Sequence, residues 1–172
     1  MRLDSLFLNL MSTANSKLLQ EIEGIRKLKD ALVILVKTEW NASIVDELEI
    51  GCRRIFDLYD IKTRTLVVPG AVEISFAIKQ AFLHNKKAKA FIALGCVIKG
   101  DTPHFDYVCK SVTDGITALN LELPVPSIFG VLTVDNEEQA TARIGGAHGH
   151  KGEEAAITAL KMILLNNQLK KK

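Results

Sequence analysis

Ala90-Phe91-Ile92-Ala93-Leu94-Gly95-Cys96-Val97-Ile98-Lys99-Gly100-Asp101-Thr102-Pro103-His104-Phe105-Asp106-Tyr107 is the stretch that decides the fold. Residues 90–94 form a continuous apolar run, the pattern of a strand in a parallel sheet covered on both faces. The run breaks at Gly95. Lys99, Asp101 and Thr102 then pass through a turn, and a helix is expected to start near Pro103 or His104. Pro103 suits a first helical turn, where its missing N–H costs nothing, and Thr102 is the expected N-cap. The segment therefore reads as a strand end, a turn and a helix N-terminus with a hydroxyl and a histidine at its lip. Ligands in open α/β sheets bind outside the carboxyl ends of the strands, and helix N-termini attract phosphate.

The same strand–helix rhythm extends in both directions. Upstream, Ala31 to Val36 is a buried strand ending at Lys37-Thr38-Glu39-Trp40-Asn41. Asn41 or Ser43 can cap a helix that runs to about Leu58. Thr65-Leu66-Val67-Val68 is a second strand, stopped by Pro69-Gly70. A helix from Val72 to about His84 follows, with Glu73 in its first turn. Downstream, a helix from His104 carries Val108, Val112, Ile116 and Leu119. A fourth strand lies within Val125–Leu132. A short helix then holds Glu137, Glu138, Gln139 and Arg143, a glycine-rich loop spans 145–152, and a last helix covers Glu153 to about Leu165. Four strand–helix pairs predict a four-stranded parallel sheet with helices on both faces, a three-layer α/β/α sandwich of flavodoxin-like type with right-handed crossovers. Trp40, Ala71 with Glu73, Cys96 to His104, and Phe129 are expected to gather at the strand exits.

Several residues carry two readings. Trp40 is either a surface ring packed on its own loop or a stacking platform for a flat ligand. Glu73 either complements the helix dipole or serves the site. His84, near a helix C-terminus, is assigned no chemistry. The Gly145–Gly152 segment fits neither of the common phosphate-loop patterns. His148 and His150 have no third ligand nearby in sequence to make a metal site.

With 172 residues the chain holds one well-buried domain, expected over 30–172, and an N-terminal extension over 1–29. Apolar residues at helical spacing predict an amphipathic helix over Ser16–Lys29, packed on its own domain or on a neighbour. A net charge of +2, with basic residues scattered except in Lys170-Lys171-Lys172, gives no case for nucleic acid. The three cysteines, Cys52, Cys96 and Cys109, are odd in number and show no CxxC spacing, which fits a reducing cytoplasm. No run reaches membrane-spanning length, and no export signal is expected at the N-terminus.

The pattern resembles lumazine synthase, the riboflavin synthase beta-chain family. The resemblance rests on Glu39-Trp40-Asn41, Val68-Pro69-Gly70-Ala71-Val72-Glu73-Ile74, Leu94 to Tyr107, Ile128-Phe129-Gly130-Val131-Leu132-Thr133, and Glu138 through Arg143 to Lys151-Gly152. Gly100-Asp101-Thr102-Pro103-His104-Phe105-Asp106-Tyr107 is the most specific of these. The matches span residues 31–165. The resemblance implies condensation of 5-amino-6-(D-ribitylamino)uracil with 3,4-dihydroxy-2-butanone 4-phosphate to 6,7-dimethyl-8-ribityllumazine, with release of phosphate and water and with neither metal nor organic cofactor. It implies that Trp40 stacks on the pyrimidine and that Ala71, Val72 and Glu73 hold the ribityl chain. It further implies that Cys96, Val97 and Ile98 read the pyrimidine edge, that Asp101 and Thr102 hold the phosphate substrate, and that His104 transfers protons. Phe129 and Arg143 match positions supplied by an adjacent subunit, Arg143 to phosphate, and Lys151 matches a basic residue near the same place. Homopentamers, in some relatives sixty-subunit icosahedral shells, and riboflavin synthase as a partner are further implications. The sequence departs from the family pattern at Glu39, Val72 and Ser75, and none of these removes a proposed chemical group. Two other classes compete: a flavin- or lumazine-binding module without catalysis, and a shell subunit whose catalysis has decayed. Both leave the joint presence of His104 and Arg143 without a purpose.

Overall fold

In the computed structural model, residues 24–170 are described. The expected helix over 16–29 falls largely outside them. Its described end, Ile25–Leu28, is a single 3₁₀ turn whose Ile25 and Leu28 are buried. The last two residues of the lysine run also lie outside.

Strand β1 (Leu32–Thr38) leads to helix α1 (Ala42–Asp57) and β2 (Lys62–Val68). A 3₁₀ turn (Ala71–Glu73) opens into α2 (Ile74–His84). Then come β3 (Ala88–Ile98), α3 (His104–Glu122), β4 (Ser127–Val134) and the short α4 (Glu137–Thr141). A ribbon of β5 (Ile144–Gly146) and β6 (Gly149–His150) precedes α5 (Lys151–Leu169). The main sheet is parallel, in the order β2-β1-β3-β4. β1 and β3 occupy the middle, as their unbroken apolar runs require.

Side chains alternate across each strand, and this divides the interior in two. Val33, Leu35, Ile92 and Leu94 face α1 and α5. Ile34, Val36, Phe91 and Ala93 face α2 and α3. On the first face α1 and α5 approach backbone to backbone. A Cβ at Gly152 would stand 2.1 Å from the Leu48 carbonyl oxygen, so only glycine fits there.

Three local expectations are revised. β3 does not break at Gly95 but continues to Ile98, because Gly95, Cys96, Val97 and Ile98 keep pairing with Val131, Leu132, Thr133 and Val134. A Cβ at Gly95 would stand 3.3 Å from Thr38 Cγ2 and 3.5 Å from Val131 Cγ1, a close fit within the strand. Thr102 makes no capping bond, and α3 starts from Pro103 at its N-cap. The glycine-rich segment is not an open loop. It folds into the antiparallel β5–β6 ribbon, in which Ile144 pairs with His150, and α5 begins at Lys151.

Candidate active site

The exits of β1, β2 and β3 meet at one edge of the sheet. β1 ends at Thr38, and the next residues fold toward β2: the Glu39 N–H donates to the Val68 carbonyl at 2.8 Å and the Trp40 N–H to the Pro69 carbonyl at 3.3 Å. The Thr38 hydroxyl donates back to the Trp40 carbonyl at 3.1 Å. These bonds hold the backbone of the turn while leaving the indole 65% exposed. The ring lies against Gly70, where a Cβ would stand 3.0 Å from Trp40 Cε3 and Cζ3 and 3.2 Å from a Glu73 carboxylate oxygen. Trp40, Gly70 and Glu73 are thus neighbours, brought together from two strand exits.

Glu73 is tied into this edge. The Gly70 N–H donates to its Oε2 at 3.0 Å, and its own N–H donates to the Gly70 carbonyl at 3.3 Å. This reciprocal pair is a capping device. It also fixes one carboxylate oxygen and leaves acceptor capacity on an exposed side chain. Ala71 is buried beneath it and Val72 is exposed beside it.

β3 delivers Cys96, Val97 and Ile98 to the same edge as extended strand, not as turn. Burial pushes the Cys96 thiol up to about 11, with Glu137 adding to the shift, so it stays protonated near neutral pH. Its carbonyl oxygen accepts a 2.8 Å hydrogen bond from the Asn41 side-chain amide. Asn41 or Ser43 is the expected cap of α1. Asn41 does occupy the N-cap position, but its side chain makes no capping bond. Its left-handed backbone (φ 57°, ψ 40°) suits asparagine better than most residues. An Asn directly after the aromatic residue of a strand-to-helix turn was the available signal.

After β3, the Lys99 N–H donates to the Val134 carbonyl at 2.9 Å, which holds the exit against β4. Asp101, Thr102 and His104 follow, all exposed, with His104 the first residue of α3.

Phe129 stands apart from this cluster. Phe129 is the third residue of β4 and pairs with Ala93, not with a strand exit. At roughly 3.3 Å per residue it lies about 16 Å along the strand from Val134, so it does not join the edge where it was expected. It is 41% exposed and lines a groove of about 880 Å³ along the outer edge of β4, between α3 and α5, together with Lys151, Leu132 and Met162. Arg143 lies beyond α4, not within it. Its guanidinium donates to the Gln139 carbonyl at 2.8 Å, and its carbonyl accepts from the Lys151 N–H at 2.8 Å. Lys151 pairs with Glu154 at 2.8 Å.

His148 and His150 diverge in environment. His148 is exposed, whereas His150 is 4% exposed, packs against Gly51, and neither of its ring nitrogens has a hydrogen-bond partner among the described residues. Burial lowers its pKa, which the Glu153 carboxylate opposes.

With this geometry in place, comparison with known proteins is informative. Residues 30–167 match the family model for 6,7-dimethyl-8-ribityllumazine synthase. Curated proteins bearing that name are similar over most of the chain. One from Parabacteroides distasonis is 41% identical over 157 residues, covering 89% of this chain and 98% of its own length. One from Cytophaga hutchinsonii is 44% identical over 156 residues, again covering 89% and 98%. One from Bdellovibrio bacteriovorus is 49% identical over 136 residues, covering 78% and 75%.

Proposed function

This chain belongs to the 6,7-dimethyl-8-ribityllumazine synthase family, and from that premise we propose how its residues divide the work of lumazine synthesis in the making of riboflavin. The observation that carries the assignment is the meeting of Trp40, Glu73 and the Cys96 backbone at one sheet edge. It supplies a flat apolar wall, a carboxylate with acceptor capacity and a strand end with backbone polar groups. Those are what a pyrimidine bearing a polyol chain needs.

In this reading the pyrimidine stacks on Trp40 and its edge meets the backbone of Cys96, Val97 and Ile98. The ribityl hydroxyls donate to Glu73, beside Ala71 and Val72. The four-carbon phosphate ester sits at the Asp101–Thr102 turn. The amine of the pyrimidine attacks the ketone to give an imine with loss of water. Phosphate then leaves, and ring closure releases a second water. His104, at the start of α3 and open to solvent, carries protons between these steps, a role histidine fills near neutral pH. Holding two substrates in register supplies much of the acceleration.

The phosphate still requires a cation. Arg143 offers a planar fork of donors, and Phe129 and Lys151 line the groove beside β4. Phe129, midway along β4, does not reach the Trp40 edge within one chain. A second copy seated against the β4 edge brings Phe129 and Arg143 to the neighbour's Trp40 and His104, and repetition of that head-to-tail contact closes a ring. A ring of five, alone or built into a shell, is the assembly this reading adopts. The β4 edge, unpaired among the described residues, and the apolar groove over it support the contact.

The test mixes the purified protein with both substrates and follows lumazine fluorescence. Formation above the uncatalysed rate, with a raised KM for the phosphate substrate in Arg143→Ala, is expected. Background-rate product from a folded assembly would overturn the reading.

A further inference from the structure

We propose that Asn41 is a positioning residue that sets the width of the pyrimidine slot by tying the Trp40 turn to the end of β3. The proposal rests on the pyrimidine site described above and adds a part to it. Three observations carry it.

First, the turn is held on the β2 side by its backbone. Glu39 and Trp40 both donate to β2-exit carbonyls, and the indole rests on Gly70. On the β3 side, beyond the last β1–β3 pair of Lys37 with Leu94, the Asn41 amide donates to the Cys96 carbonyl across 55 residues of sequence. Past the end of the β1–β3 ladder, this side chain ties the turn that carries the indole to the Cys96–Ile98 backbone.

Second, Asn41 is not serving its own helix. An asparagine at an N-cap ordinarily accepts a bond from the second or third helical N–H. Here the side chain makes no such bond. The Asn41 carbonyl alone enters the helix, accepting from Ile44 and Val45 at 3.0 and 3.1 Å. The amide is aimed away from α1 and into the site edge.

Third, the backbone at Asn41 is left-handed, a conformation that costs ordinary L-residues free energy. Glycine and asparagine meet that requirement at least cost, but only asparagine can also donate to Cys96. The bond also engages the Cys96 carbonyl, so one lone-pair direction of that oxygen is occupied before a pyrimidine arrives.

The geometry separates the two duties of the residue. Asn41→Gly keeps the left-handed turn and removes the donor. Asn41→Asp keeps the size and places a carboxylate against a carbonyl oxygen. The intact assembly of each variant is assayed with both substrates. Loss of a hydrogen bond of ordinary net strength predicts about a three- to tenfold rise in KM for the pyrimidine in Asn41→Gly, and a larger rise in Asn41→Asp. KM for the phosphate substrate stays within twofold. Quenching of Trp40 fluorescence by acrylamide, measured without substrate, increases in both variants. Trp40 is the only tryptophan, so this signal reports the turn directly.

An unchanged pyrimidine KM with unchanged quenching in Asn41→Gly would overturn the clamp, as would equal rises in both KM values. A change confined to melting temperature would reduce Asn41 to a structural role and overturn it too. Trp40→Ala, run in parallel, distinguishes the two levels of the argument. If it leaves the pyrimidine KM unaltered, the stacking assignment fails, and the clamp is then decided by the quenching measurement alone.

Discussion

The α1–α5 face of the sheet and the carboxyl edge are built by opposite rules. On the α1 side, charged groups are paired several times over. The Lys37 ammonium lies 2.8 Å from Asp46 and 2.6 Å from Glu49. Arg53 donates to Glu49, Thr63 and Thr65, and Thr65 donates to Glu49 at 2.7 Å. Arg54 pairs with the buried Glu153 at 2.6 Å. At the carboxyl edge, Trp40, Glu73, Asp101, Thr102 and His104 are exposed, and their side chains are mostly unengaged by the chain itself. One region spends its polar groups on holding helices to strands. The other leaves them exposed, as the proposed substrate site requires. Rigidity is therefore concentrated behind the site, where it can position the edge without occupying it.

That contrast can be broken most forcefully at His104. Replacing it with alanine should lower kcat by about 10²–10⁴, the usual contribution of a placed proton carrier, without abolishing turnover, because substrate positioning remains. Melting temperature should hardly move, since the side chain is exposed. Complete loss of activity in a folded assembly, or a large loss of stability, would contradict the division between the two regions.

Gly152→Ala tests the other side. A Cβ there meets the Leu48 backbone, and backbone cannot swing aside as a side chain would. A loss on the order of 3 kcal/mol is expected from such overpacking, read as a lowered midpoint in urea. Any variant protein that does assemble should keep its KM values. A neutral result would mean that the α1–α5 contact is looser than its geometry indicates.

Acid titration sharpens the same comparison. Burial pushes the Glu49 carboxyl up, but hydrogen bonds from Lys37, Thr65 and Arg53 outweigh it and hold it at about 2, against 4.5 for an ordinary glutamate. A depressed acid stabilises the folded chain above its unfolded pKa, so this contribution is present above about pH 4.5 and is lost as pH falls toward 2. It amounts to roughly 3 kcal/mol. His150 acts earlier. Its folded pKa lies below 6.5, so the folded chain favours the neutral ring, and stability declines as pH falls below 6.5. Glu153, Arg54 and Glu47 are the charged groups that bear on it. Chemical denaturation between pH 3 and 8 should show both limbs. Glu49→Gln should flatten the lower limb, and His150→Gln the upper one. Persistence of the upper limb in His150→Gln would remove the histidine as its cause.

The smallest effect is expected from Trp40→Ala on stability, within about 0.5 kcal/mol, as for an exposed side chain, with pyrimidine binding clearly weakened. A drop of several kcal/mol would make Trp40 part of the frame and not part of the site.

Much of this was legible beforehand because it depends on local pattern. The apolar runs at Ala31–Val36 and Ala90–Leu94 mark central strands, and Pro69-Gly70 marks a strand exit, whatever the rest of the chain does. Other features escaped because their cause is remote in sequence. Gly95 reads as a breaker, yet β4 supplies pairing partners that carry β3 on to Ile98. Phe129 is expected among the strand exits, although the expected fourth strand itself runs on to Leu132. The structure extends β4 to Val134, leaving the ring beside the groove. The Gly145–Gly152 segment shows no strand periodicity, and its ribbon forms by the pairing of Ile144 with His150.

The sequence by itself determined the parallel α/β class, the order of its elements and the residue types available for chemistry, since period, turn residues and composition act over a few positions. Only the tertiary structure decided which groups meet. Trp40 lies on Gly70 because two strand exits are neighbours in the sheet, and Asn41 turns from its helix to Cys96 because β3 passes within hydrogen-bond reach. Contacts between residues tens of positions apart depend on sheet order and register, and these are set by packing of the whole chain.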